Sequence, residues 1–105
     1  MSDVARGNLF DGADPPASGE AFEALLRQGG ALVERIVSSA TPDTSPYVQD
    51  HDEWVVLLRG EATLEVEGEL LELRPGDHVH LPARTRHIVR RTSDGALWLA
   101  VHLPA

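Results

Sequence analysis

The sequence predicts an all-β domain, a sandwich or closed barrel of short strands, with a short N-terminal helix packed outside it. Two observations carry the prediction. From residue 54 onward, short apolar or alternating runs are cut at regular intervals by Gly and Pro turns. Only the stretch from 18 to 28 shows apolar residues at helical spacing behind a capping residue. At 105 residues the chain has room for one domain, burying roughly two thirds of the surface its unfolded chain exposes. A hydrophobic content of 42% with 25% charged residues is ordinary for a globular protein and argues against disorder.

Residues 1–17 are polar and contain Asp14, Pro15 and Pro16, which predicts an irregular lead-in. Ser18 suits an N-cap, Glu20 and Glu23 suit the positive end of a helix dipole, and Phe22, Leu25 and Leu26 form an apolar stripe. Gly29 and Gly30 would stop that helix, at about 19–28. Residues 1–30 are thus expected to pack on a barrel formed by 31–105. "ALVERIVSS" (31–39) predicts an edge-like strand, followed by a mobile Ser/Thr/Pro-rich connection. "WVVLL" (54–58) is apolar on both faces, "ATLEVE" (62–67) alternates, Gly68 marks a hairpin and "ELLEL" (69–73) follows. The turn "RPGD" (74–77) leads to "HVHL" (78–81), then "HIVRRT" (87–92), the turn "SDG" (93–95) and "ALWLAVHL" (96–103). A strand apolar on both faces in so small a domain needs cover on its second face, and a second copy of the chain is the simplest supplier. A homodimer is expected.

Composition narrows the chemistry. With no cysteine, disulfides and thiolate sites are excluded, so any metal must be held by His, Asp, Glu, Gln, Tyr or water. All nine basic residues are arginine, which excludes a lysine Schiff base. A net charge of −8 disfavours nucleic acid as a partner. No signal pattern and no apolar run near the roughly 20 residues of a membrane span is visible, so a cytoplasmic location off the membrane is expected. The charge is uneven: residues 1–53 hold three Arg against ten acids (3 − 10 = −7), and residues 54–105 six Arg against seven (6 − 7 = −1). Arg84, Arg86, Arg90 and Arg91 flank His87.

Gln49, His51 and Glu53 occupy alternate positions at the entry to the apolar run, so in an extended chain all three project to one face. Asp50 and Asp52 read as turn residues. His78 and His80 alternate with Val79 and Leu81 and are expected to face away from the core. His102 shares a face with Trp98 and Ala100, as a hydrogen-bonded core histidine.

At two turns the chain resembles the cupins, small jelly-roll barrels with the motifs G-x5-H-x-H-x3,4-E-x6-G and G-x5-P-x-G-x2-H-x3-N. Glu53 and Gly60 match the end of the first, and Gly76, Pro82 and His87 match the second, with fifteen residues between Gly60 and Gly76. Thr41, Tyr47 and Gln49 stand where the first motif has glycine and its paired histidines, and Arg84 and Arg91 replace the second motif's glycine and asparagine. The resemblance spans about residues 31–103 and implies a double-stranded β-helix. It implies a divalent metal on His87 and Glu53, with Gln49 as a third ligand and His51 as a fourth ligand or a group orienting bound water. Zinc is the first expectation, with Fe, Mn or Ni as alternatives.

"QDH" (49–51) also resembles the Gln-x-His pair of type I phosphomannose isomerases, which implies a metal-dependent sugar-phosphate isomerase as the sharper expectation. Arg84 and Arg91 would then fork onto the phosphate, and His51 and Tyr47 would serve acid–base chemistry. The alternatives are a polar barrel mouth that binds a small ligand without catalysis, as a sensor or storage module, and a cupin dioxygenase.

Overall fold

The computed structural model describes residues 4–104. Eight strands follow one another: β1 (Glu20–Gln28), β2 (Ala31–Ser38), β3 (Asp52–Arg59), β4 (Ala62–Val66), β5 (Glu69–Leu73), β6 (His78–Leu81), β7 (His87–Thr92) and β8 (Ala96–Leu103). They form a five-stranded sheet in the order β1-β2-β8-β3-β6 and a three-stranded sheet in the order β5-β4-β7.

No helix is present among the described residues, and the segment expected to be helical is β1. It pairs antiparallel with β2, Gln28 opposite Ala31, across a two-residue turn in which Gly29 and Gly30 have φ of +59° and +81°. Two successive positive φ values make a tight hairpin turn, and glycine adopts them without a Cβ penalty. The Gly-Gly pair therefore reverses a strand where a helix stop was expected. Alanine, leucine and glutamate give β1 helical propensity, but pairing with β2 overrides it. Its apolar side chains gain little cover, with Phe22 60% and Leu26 53% exposed. Two further expectations change with it: β2 lies between β1 and β8 instead of at an edge, and the large sheet begins at Glu20, inside the segment read as an outer lead-in.

The remaining turns follow their residues. Glu67 and Gly68 take φ of +49° and +83° between β4 and β5, and Gly76 (φ +95°) follows Pro75 in a turn closed by Asp77 N–H donating to Arg74 O at 2.9 Å.

Strand register separates the two faces of the large sheet. Ile36 is opposite Trp98, which is opposite Leu57; Ala100 is opposite Val55, and His102 opposite Glu53. With β4's Ala62 and Leu64, the inward apolar residues build a core in which Leu57, Ala96 and Ala100 are fully buried. Burial of one such leucine contributes about 1.5–3 kcal/mol. On the outer face, Val37 and Leu97 are covered by Ala13 of the N-terminal segment. That segment is held by Arg35, which donates to Leu9 O and Asp11 O, and by Arg59, which donates to Ala13 O. Outer rows further along, Val33–Val101–Trp54 and Leu99–Val56, remain half-exposed.

Candidate functional site

Between the sheets, at the end where β3 begins and β8 ends, lies a cavity of about 160 Å³. Its walls are largely apolar, from Phe22, Ile36, Val55, Leu64, Val89 and Trp98. Polar groups enter as Glu20, Glu34, Ser38, Tyr47, Gln49, Glu53, His87 and His102.

Glu53 is the second residue of β3 and faces inward, 8% exposed; His87 opens β7 on the opposite sheet and is 7% exposed. Their facing atoms, Glu53 Oε1 and His87 Nε2, are 4.0 Å apart. His87 Nδ1 lies 3.2 Å from Thr85 O. A carbonyl oxygen only accepts, so Nδ1 donates to it, and Nε2 is turned to Glu53 and the cavity. The segment before β3 runs along β7 as one more rung, with Tyr47 and His87 exchanging both backbone bonds, at 2.8 and 3.0 Å. That pairing stacks the Tyr47 ring on His87, centroids 5.6 Å apart and planes at 18°. Two residues on, Gln49 Nε2 donates to Glu53 Oε1 at 2.8 Å. The backbone carbonyl of Gln49 accepts the backbone N–H of Arg84 at 2.6 Å. Arg84 is held at φ +66°, a left-handed backbone at the position where the cupin motif has glycine.

Tyr47, Gln49, Glu53 and His87 are thus brought together, and His51 is not. His51 Nε2 meets His102 Nδ1 at 2.9 Å, and His102 Nε2 meets Glu34 Oε1 at 2.8 Å. The Glu34 carboxylate accepts from His102 Nε2–H, and one proton is shared between His102 Nδ1 and His51 Nε2. His102 is a hydrogen-bonded histidine that also lines the cavity. Asp52, between Glu53 and His51, points outward to His80 at 2.9 Å and to the Ala83 N–H at 2.9 Å. These two bonds hold its carboxyl below the usual range, the His80 bond being the larger cause. His78 and His80 are exposed, as alternation predicted.

The arginines stand elsewhere. Arg90 and Arg86 pair with Glu65, at 2.9 and 3.8 Å, and Arg91 lies 4.0 Å from Glu72 with both side chains exposed. Arg84 is exposed, and no arginine lines the cavity. The cavity's charge is therefore acidic, from Glu20, Glu34 and Glu53. Burial pushes the Glu20 carboxyl up, against a hydrogen bond from Asp43 N–H that lowers it, with the nearby Asp43 charge adding to the rise. The Tyr47 phenol is likewise raised, by burial first and then by the charges of Asp43 and Glu20, so it holds its proton.

Sequence reading missed Glu20 and Phe22 because β1 was read as a helix, and Glu34 because its partner His102 is 68 residues away. The alternation of Glu34, Ile36 and Ser38 was the available signal.

A family model for the cupin domain matches residues 37–102 of this chain. The chain is a cupin. A crystal structure of a "putative mannose-6-phosphate isomerase" from Ralstonia eutropha JMP134 superposes on this cupin with a TM-score of 0.88 at 40% identity, covering 97% of this chain and 100% of that one. KdgF from Halomonas sp. has a TM-score of 0.76 at 20% identity, over 83% of this chain and 80% of that one, a likeness of fold. In sequence, an uncharacterised protein of Aquifex aeolicus is 31% identical over 80 residues, 76% of this cupin and 66% of that protein. The quercetin 2,3-dioxygenase of Bacillus subtilis is 33% identical over 73 residues, 66% of this chain but 22% of that enzyme. This cupin therefore spans less than two thirds of either sequence relative.

Cupins commonly bind metal ions. The donors here do not fit a resident one. Among the described residues no three His or acidic side chains converge as a metal cluster, whereas catalytic zinc takes three protein ligands. Of the four expected ligands, Gln49 turns its amide N–H₂ to Glu53 and His51 is turned to His102. No helix among the described residues is long and apolar enough to cross a membrane.

Proposed function

We propose that this cupin acts on a small, uncharged hydroxy-carbonyl compound, sugar-like in its chemistry, by moving a proton between adjacent carbons. The observation that carries the reading is the pair Glu53 Oε1 and His87 Nε2, a carboxylate oxygen and an imidazole nitrogen facing each other at 4.0 Å in a cavity with largely apolar walls. They are too far apart to bond each other, and near enough for one bound substrate to engage both.

In an aldose–ketose interconversion one of the pair takes the proton from C2, giving an enediol, and returns it to C1 as the C2 oxygen becomes the carbonyl. The other holds the proton that passes from the C2 oxygen to the C1 oxygen. Gln49 keeps the Glu53 carboxylate oriented, and the Thr85 carbonyl keeps His87 Nε2 aimed at the substrate. Positioned acid–base groups of this kind contribute about 10²–10⁴-fold. The Ralstonia protein's name supports the reaction type. The cavity argues against the phosphorylated form of the substrate, since it offers three carboxylates and no arginine to a phosphate dianion. Its volume, well below the roughly 300–1,000 Å³ of drug-sized sites, also favours a ligand no larger than a monosaccharide.

The test is proton exchange followed by NMR in D₂O with mannose, glucose, fructose and mannose 6-phosphate. Deuterium should enter the neutral sugars at C1 or C2, and Glu53→Gln and His87→Ala should each slow it by about 10²–10⁴-fold. Faster exchange into the 6-phosphate would refute an uncharged substrate. Binding without exchange in any sugar would leave a non-catalytic ligand-binding cupin.

A further inference from the structure

Tyr47 and Gln49 occupy the space beside His87 and Glu53 from which further metal ligands would have to come. Each is committed to its neighbour. Gln49 donates its amide N–H to Oε1 of Glu53, the same oxygen that faces His87. An ion between Glu53 and His87 would meet that N–H, a positive dipole end, where it needs a lone pair. Tyr47 covers one face of the His87 ring, and its hydroxyl is turned to Asp43 Oδ2 at 3.5 Å. Of the other polar groups of the cavity, Glu34 and His102 are bonded to each other and His51 to His102, Glu20 accepts the Asp43 N–H, and Ser38 Oγ accepts from Trp98 Nε1.

We infer that this cavity is a metal-free cupin site, in which Tyr47 and Gln49 take over the supporting role of an ion and leave Glu53 and His87 as a carboxylate–imidazole pair. The inference rests on the same pair as the proposed function but concerns how the pair is supported, not which compound it meets. Proton transfer needs no oxygen activation, so the pair is complete for isomerisation and incomplete for a dioxygenase.

The experiment is zinc and manganese titration of untagged protein by calorimetry, with elemental analysis of the protein as purified. The variants are Glu53→Gln, His87→Ala and the double variant Tyr47→His/Gln49→His, each checked for folding by its thermal melt. The wild type should show no stoichiometric site that depends on Glu53 and His87. Any zinc taken up should be unchanged in both single variants, as expected for exposed groups such as His80 and Asp52. The double variant adds two imidazoles beside the pair and should bind zinc about 100-fold or more tighter than the wild type. Stoichiometric metal in the wild type that is lost in Glu53→Gln, the isosteric change, would overturn the inference even if His87→Ala fails to fold. A folded double variant with no gain over the wild type would also overturn it, because Tyr47 and Gln49 would not be what withholds the ion. Neither result depends on turnover, so an inactive protein would count against the proposed function alone.

Discussion

Gly60 joins β3 to β4 at φ +87°, and a Cβ built there would lie 2.5 Å from Ser93 Oγ and 3.0 Å from the Ala96 Cα. Gly60→Ala therefore acts through three costs. Forcing a residue with a Cβ into left-handed backbone costs about 1–2 kcal/mol. Ser93 Oγ must rotate away from the Glu61 N–H it accepts at 2.9 Å, and a hydrogen bond of that kind contributes about 0.5–1.5 kcal/mol. Ala96 is fully buried at the start of β8, so its backbone cannot retreat, and overpacking of that sort costs about 1–3 kcal/mol. Alanine's smaller unfolded-state entropy offsets about 0.4–1 kcal/mol. The expected net loss is about 2–6 kcal/mol, a large share of the roughly 5–15 kcal/mol that holds a domain together. Urea unfolding should show a lower midpoint at an unchanged slope. Gly60 is at the far end of β3 from Glu53, so the arrangement of Glu53 and His87 should be retained in the folded fraction. A loss below about 1 kcal/mol would refute the reasoning, because it would mean that the turn and β8 relax around the methyl group.

Two further outcomes are expected. Because the folded-state pKa of Glu20 is raised, chiefly by burial, its ionised form is penalised by folding; this carboxyl favours the fold fully below the unfolded value of 4.5 and loses that advantage as pH rises through the folded value. Glu20→Gln, which keeps an oxygen for the Asp43 N–H, should melt higher than wild type at pH 7, with the gap closing towards pH 4; a gap that does not change with pH would show that burial of the charge is not its cause. Trp54, Val101 and Val33 form a half-exposed apolar row across three neighbouring strands, with Val56 and Leu99 beside it, and a second copy is the expected cover. Light scattering should find a dimer that Trp54→Glu converts to a monomer, and a monomeric wild type at tens of micromolar would rule this out.

The sequence by itself determined what is local. Seven strands and their turns were legible because alternation reports on one chain's pleat and because Pro75–Gly76 and Gly68 bend the backbone wherever they stand. The same period of two puts Gln49, His51 and Glu53 on one face of an extended chain, and of these Glu53 alone lies within β3. His87 entered through motif spacing, which places it on the opposite sheet without saying how far its ring would be from Glu53. Only the tertiary structure decided what depends on pairing across the chain. β1 is a strand because the open edge of β2 supplies its hydrogen bonds, against a propensity worth a few tenths of a kcal/mol per residue. His51 left the expected ligand group because β8, running between β2 and β3, sets His102 beside it and beside Glu34. The arginines around His87 lie outside the cavity, where Glu65 on β4 and Glu72 on β5 offer three of them partners. Charge in a sequence says which groups exist, and packing alone says which of them face the same few ångströms of space.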